Sequence, residues 1–242
     1  MAHPKSGDDQ IIVSTGGGKG GRAAVRLEAR TQEAPVKPRA TKKPRRRGDD
    51  VRERVLQAAV ECFGAFGFDG TSTRAIADRA EVTHTLVLYH FQSKDQLWSS
   101  TVEFALAEYG DEVRALFAAA PKMPAREALA GFIDKFVRMS AKRPQVHRIL
   151  TMEGNRESPR LNWVIDHFLR DHFAAVRDLI RRGQVEGSVR QCDPARLYYL
   201  IIGAGGTPFT IATEYRALTG RDVFSESELL RNIAFIYEIV FT

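Results

Sequence analysis

The feature that most constrains this chain is a change of pattern at Asp50. Beyond it, apolar residues recur at steps of three and four, first as Val51, Val55, Ala59, Cys62, Phe63 and Phe66, which share one helical stripe. No segment shows the period-two alternation of a half-buried strand. Stripes of this kind are covered by packing helix on helix, so the expected fold class is all-α. The helix ends are written in the sequence. Gly67 stops the first helix, and Gly70 marks a turn. Thr73, Thr83 and Ser93 stand as N-caps of the next three helices, the last with Gln96 completing a capping box. Pro124, Pro159 and Pro194 sit in first turns, the latter two behind Ser158 and Asp193, and Ser225 with Glu228 forms another box. The spacing predicts nine helices, near 51–66, 74–80, 84–90, 94–119, 124–141, 144–154, 159–183, 194–218 and 226–240.

Charge divides the chain at the same place. Residues 1–50 hold 12 Lys and Arg against 6 Asp and Glu, so the whole formal charge of +6 lies there. Seven of these cations, among them Lys42, Lys43, Arg45, Arg46 and Arg47, fall in residues 36–47 with no acid between them. Residues 1–48, rich in Gly, Pro, Lys and Arg, are expected to be a disordered basic arm. Such an arm attracts nucleic acid or an anionic membrane surface, or is a solvated tail that keeps the chain soluble. The stretch IIVSTGGGKGG (11–21) suggests a phosphate loop, but Gly20 stands where such a loop needs a hydroxyl after Lys19. No apolar run approaches the roughly 20 residues of a membrane span, and the N-terminus lacks the apolar core of a secretory signal. Cys62 and Cys192 are isolated thiols, so neither a disulfide framework nor a zinc site is expected. A cytoplasmic protein without metal or cofactor is the expectation, and no residues are arranged for catalysis.

Residues 73–92, TRAIADRAEVTHTLVLYHFQ, read as two short helices joined by a tight turn. Ile76, Ala77, Ala80, Val82 and Val87 supply the small and apolar residues that let the two helices cross closely. That is a helix-turn-helix, whose second helix enters the major groove of DNA. With Ala80, Val82 and Val87 inward, His84, Thr85, Leu86, Leu88 and Tyr89 are left at the groove. His84, Thr85 and Tyr89 are candidates for polar contacts, and Leu86 or Leu88 for packing on thymine methyls. Thr83 can cap the helix and reach a phosphate, while Thr73 and Arg74 can clamp the backbone. Tyr89 has an alternative, packing against the preceding helix. His84 and His90 are too far apart in rotation, and too short of further ligands, to hold a metal.

A wider pattern carries a family resemblance. Leu56, Ala59, Phe63, Gly67-Phe68, Thr71-Ser72-Thr73, Ile76-Ala77, Val82-Thr83, His90-Phe91, Ser93-Lys94-Asp95 and Leu97 stand in the order and spacing of the TetR family of bacterial regulators. The resemblance covers residues 51–98. It implies a DNA-binding domain over 49–98 and a helical ligand-binding and dimerisation domain over 99–242. His90 resembles the family's phosphate-contacting His and Lys94 its phosphate-contacting Lys; for His90 a partly buried ring bonded to backbone is the alternative. Three positions depart from the family pattern: Glu81 and Thr85 where Gly is common, and Leu88 where Tyr is common. Charge also departs from expectation. Residues 51–98 hold five cations against six acids, so the basic arm is the expected source of attraction to phosphate.

The C-terminal region is less informative. Phe104, Phe136, Met139, Met152, Trp163 and His167 are candidate lining of a pocket for a small apolar or amphipathic effector, or plain core. Gly203, Ala204, Gly205 and Gly206 inside a helix suit a close backbone approach, and Pro208 is expected to kink that helix. By resemblance, the last two long helices form a two-fold interface, with Tyr199, Gly203, Gly206, Phe209, Ile233 and Ile236 in it. Packing within one chain is the alternative. The function expected is a ligand-responsive repressor that binds a palindromic operator as a homodimer, associated with the nucleoid. An architectural DNA-binding protein without an effector is the second reading.

Overall fold

The structure, a computed structural model, describes residues 47–242. Lys42, Lys43, Arg45, Arg46, the Arg47 side chain and the glycine-rich stretch around Lys19 lie outside the described residues. Eleven α-helices follow one another: α1 (Arg47–Phe66), α2 (Thr73–Arg79), α3 (His84–Phe91), α4 (Lys94–Ala119), α5 (Ala125–Lys142), α6 (Pro144–Gly154), α7 (Pro159–Val164), α8 (Arg170–Val185), α9 (Pro194–Thr210), α10 (Ala212–Thr219) and α11 (Glu226–Val240). The β structure among the described residues is a single antiparallel bridge, Val189 with Phe241.

The caps act largely as their residue types dictate. Thr83 Oγ1 accepts from the Leu86 amide, Ser93 Oγ from Gln96, Ser158 Oγ from Leu161, Asp193 Oδ1 from Arg196 and Ser225 Oγ from Glu228. Thr73 does not cap. Ser72 takes that place, its Oγ accepting from Ala75, and Thr73 is the first helical residue. The first helix also begins earlier than the charge pattern suggests, taking in Arg47 and Gly48.

Two expected long helices are interrupted. Between α7 and α8, residues Ile165–Leu169 wind as a π-helix, which inserts extra chain and contributes no buried residue of its own. The helix expected over 194–218 divides at Ile211. Pro208 itself lies within α9. Having no N–H, it leaves the Ala204 carbonyl without its helical donor, and Asn232 Nδ2 donates to that oxygen at 3.1 Å. A side chain on α11 thus repairs the helix one turn before it ends.

Two cores result. The first joins Phe63 of α1, Ile76 of α2, Val87 and Phe91 of α3, and Trp98 and Leu106 of α4 to Val146 and Ile149 of α6 and Val164 of α7. The second is formed by Phe132 and Ile133 of α5, Val176 and Ile180 of α8, Ile201 and Phe209 of α9, and Ile233 and Ile236 of α11. The helix-turn-helix therefore shares its core with helices that follow residue 98. Glycine permits one of the tight contacts in the second core. A Cβ at Gly206 would collide with the His147 ring, and one at Gly205 would come within 2.9 Å of Phe136 Cδ1, whereas a Cβ at Gly203 meets nothing within 4 Å.

The turn between α2 and α3 places Glu81 at φ 55°, in the left-handed region. A side chain there costs about 1 kcal/mol relative to glycine. Glu81→Gly is expected to raise the melting temperature by about 2–4 °C, measured by circular dichroism. In the same assay Gly206→Ala should destabilise by about 1–3 kcal/mol through overpacking. Gly110→Ala, in the middle of α4 where a Cβ would meet only the end of the Arg114 side chain at 4.0 Å, should instead stabilise by about 0.5–1 kcal/mol through improved helix propensity.

Candidate nucleic-acid interface and effector chamber

On α3, Val87 and Phe91 are buried, four residues apart, and fix the inner face. Thr85, Leu88, Tyr89 and Gln92 fall on the opposite face and are exposed, Leu88 by 40% and Tyr89 by 78%. Tyr89 therefore projects outward instead of packing on α2. Leu86 and His90 flank this stripe and are half-buried. His90 sits edge-on to Tyr89 with centroids 5.4 Å apart, and 6.2 Å from the Phe91 ring. His84 is committed inward: its Nε2 lies 2.8 Å from Thr73 Oγ1, a hydrogen bond that ties the starts of α2 and α3 together. Thr73 and His84 thus form a bracket between the helices, and Arg74 beside it is exposed. Gln92 ends α3 with φ 57°, an unusual conformation that sets the angle at which α4 leaves; no residue type in the sequence announces it.

Lys94 opens α4 with its ammonium 4.3 Å from the Phe68 ring centroid. The Arg160 guanidinium lies 3.7 Å from the same ring, so Phe68 carries two cations. Arg160 also reaches Asp95 at 3.5 Å and the buried Glu153 at 3.3 Å, and Ser158 donates to Glu153. Arg156 pairs with Asp69 beside Phe68. The corner between α6 and α7 is in this way strapped to the loop after α1 and to the first turn of α4. Sequence reading did not find this strap, because its members lie about 60 to 90 residues apart in the chain.

The six candidate pocket residues do not come together. Trp163 packs on Trp98 in the first core with centroids 6.0 Å apart, and the exposed His167 stacks on Trp163 with its Nδ1 2.8 Å from the Trp163 carbonyl oxygen. Phe104 also borders that core, while Met152 is exposed and its sulfur faces Gly67. Phe136 and Met139 belong to the second core. What the second core does contain is His172, enclosed by the rings of Phe117, Phe132, Tyr109 and Tyr198 at 5.2–6.1 Å. Tyr109 Oη lies 3.1 Å from its Nε2 and Tyr198 Oη 3.4 Å from its Nδ1. Burial pushes the His172 pKa down to about 4 and pushes both phenols up. A neutral imidazole has one N–H, so one phenol donates to the ring and the other accepts from it. Tyr109 also faces outward into a groove of about 190 Å³ between α4 and α5, where Met139 joins it and Glu108–Lys142 and Glu112–Lys135 ion pairs span the helices.

The interface candidates divide as well. Phe209, Ile233 and Ile236 are buried within the chain, and Gly206 makes room for His147. Tyr199, exposed by 67%, and Gly203, whose missing side chain faces open space, remain on a free face of α9 together with Leu200 and Ile211. Leu230 and Phe235 of α11 are exposed too. The four inward residues stand on the core side of α9 and α11, both of which also carry apolar residues on an exposed side.

Neutral His172 gives a testable pH dependence. Its folded pKa lies below the ordinary 6.5, so the unfolded chain binds the extra proton first. Its contribution to stability is complete above about pH 6.5 and is lost as pH falls towards 4. Urea unfolding at pH 7 and pH 5 should show a loss of about 2 kcal/mol. The slope should flatten in His172→Phe, and an equal slope in the two proteins would remove His172 as its source.

Residues 55–100 match the family described as bacterial regulatory proteins, tetR family, and residues 126–240 match that described as tetracyclin repressor-like, C-terminal domain. The HTH-type transcriptional regulator RutR of Escherichia coli O157:H7 is 28% identical over 178 residues, covering 71% of this chain and 80% of that protein. The HTH-type transcriptional repressor NicS of Pseudomonas putida is 27% identical over 160 residues, covering 64% and 74%. Among solved structures, the ketosteroid transcriptional regulator KstR2 of Mycobacterium tuberculosis superposes with a TM-score of 0.65 at 19% identity, covering 79% of this chain and 95% of that one, a likeness of fold. With a helix-turn-helix in place at 73–91 and both halves of the chain matched, this protein belongs to the TetR family of helix-turn-helix, DNA-binding transcriptional regulators.

Proposed function

We propose that the protein is a ligand-responsive repressor that binds a palindromic operator as a homodimer. The observation that carries this reading is the exposed stripe Thr85–Leu88–Tyr89 on α3, held by Val87 and Phe91 against a helix, α4, that continues into the second core. Two copies related by a two-fold axis would present two such stripes to successive major grooves about 34 Å apart. The free apolar face of α9 and α11, with Tyr199, Gly203 and Phe235, is the surface through which they would pair.

An effector entering between α4 and α5 at Tyr109 would act on α4 directly. Lys94 and α3 ride on the N-terminal end of that helix, so a tilt of α4 would change the separation of the two recognition helices and release DNA. The strap at Arg160 would pass movements of α6 and α7 to the same end. Lys94, His90 and Arg74 are assigned to phosphate contacts, and the basic arm at 36–47 to the attraction that residues 51–98 lack.

Selection of bound DNA from a random pool tests the proposal. An inverted repeat with half-sites one helical turn apart is the expected product. Recovery of unrelated sequences with equal affinity would overturn it in favour of an architectural protein.

A further inference from the structure

The face that α3 offers to the groove has an unusual chemistry. The helix HTLVLYHF contains no Arg, Lys, Asn, Gln, Asp or Glu. Those are the residue types that make the forked or directed hydrogen bonds by which guanine, adenine and cytosine edges are told apart. The remaining ring-nitrogen donor near the start of the helix, His84, is engaged through Nε2 by Thr73. Two nearby cations are engaged with rings, Arg52 at 5.4 Å from the Phe91 centroid and Lys94 at 4.3 Å from that of Phe68, and the exposed Arg74 stands on α2, outside the reading helix. Gln92 carries an amide but stands beyond the C-terminal end of α3, about 10 Å along the axis from Thr85. Base edges are read from the N-terminal part of such a helix. What remains at the reading position is an aliphatic side chain, Leu88, between the hydroxyls of Thr85 and Tyr89.

An aliphatic group in the major groove has one apolar partner on natural unmodified DNA, the 5-methyl group of thymine. We propose that this protein selects its operator chiefly by apolar contact between Leu88 and a thymine methyl in each half-site, with Tyr89 and Thr85 fixing the register. The inference rests on the DNA-binding reading and deepens it by naming what is read. It also accounts for the exposure of Leu88, left 40% open on a helix whose inner face is already filled by Val87 and Phe91.

The test uses the full chain and the operator recovered by selection. Each thymine of a half-site is replaced in turn by deoxyuridine, symmetrically in both halves, which removes the methyl and leaves every hydrogen bond of the base pair intact. At one position the dissociation constant should rise about fourfold per half-site, the effect of withdrawing one buried methyl. Leu88→Ala should bind more weakly and be indifferent to deoxyuridine at that position, while Leu88→Met should keep most of the discrimination. Circular dichroism melts verify that both variants fold. Loss of the thymine preference in Leu88→Ala supports the assignment. Equal binding of thymine and deoxyuridine operators by the unaltered protein, at every position, overturns it while leaving the regulator reading standing. A preference that persists undiminished in Leu88→Ala removes Leu88 from the role. Failure to select any DNA would overturn both readings together.

Discussion

Helices of seven and eight residues do not hold their shape alone in water, because nucleation costs more than so few hydrogen bonds return. The recognition element of this protein consists of two such helices, α2 and α3. Everything around them supplies what their length withholds. Ile76 and Ala77 on one and Val87 and Phe91 on the other are buried against α1 and α4, and the Thr73–His84 hydrogen bond closes their open ends. A turn with Glu81 at positive φ is tolerated because these contacts determine the path of the chain on both sides. The helix-turn-helix is therefore only as rigid as the long helix it leans on.

That dependence explains why the first core does not stop where the DNA-binding segment does. Val146, Ile149 and Val164 complete it from α6 and α7, and the strap of Arg156 and Arg160 fastens the corner between those helices to Asp69, Phe68 and Asp95. Exposed ion pairs contribute little to stability by themselves. Arg160 is different, since it is mostly buried, lies on an aromatic ring and neutralises the buried Glu153. Removing one partner of such a set leaves a charge without compensation. The strap couples α6 and α7 to Lys94 mechanically, through a ring that both Arg160 and Lys94 occupy.

Local signals were the legible ones. Thr83, Ser93, Ser158, Asp193 and Ser225 could be placed as caps because a cap is decided within four residues. The inward positions of Ile76, Val87 and Phe91 follow from the same short-range arithmetic. Illegible features depend on partners distant in sequence. The π-helical stretch at Ile165–Leu169 contains no Gly or Pro and has no capping side chain, so no local signal announces it. The end of α9 at Ile211 follows Pro208 by three residues because Asn232, 24 residues further on, repairs the carbonyl that the proline orphans. Phe209, Ile233 and Ile236 turn inward on helices that are apolar on more than one side, where periodicity cannot say which side meets the core. The His172 chamber has the same origin: its aromatic walls come from α4, α5, α8 and α9 and share no local signature.

On the proposed reading, attraction and readout are divided between different parts of the chain, and the division would follow from the residues available. A helix that reads bases with guanidinium or amide groups gains affinity and specificity from the same side chains. Here α3 carries no Lys, Arg, Asp or Glu, and residues 51–98 hold more acids than bases. Long-range attraction to phosphate has to come from cations elsewhere in the chain, and the excess of them lies before Asp50. On the proposed reading, phosphate contacts from Lys94 and Arg74 would then hold the helix at the groove, Thr85 and Tyr89 would fix its register, and Leu88 would do the discriminating. Such a surface discriminates modestly at each base pair, since a methyl contact is weaker than a forked hydrogen bond. Two-fold repetition compensates, because a symmetric dimer counts each preference twice. On the same reading, pairing through the exposed face of α9 and α11 would be a condition of specific binding as much as of assembly.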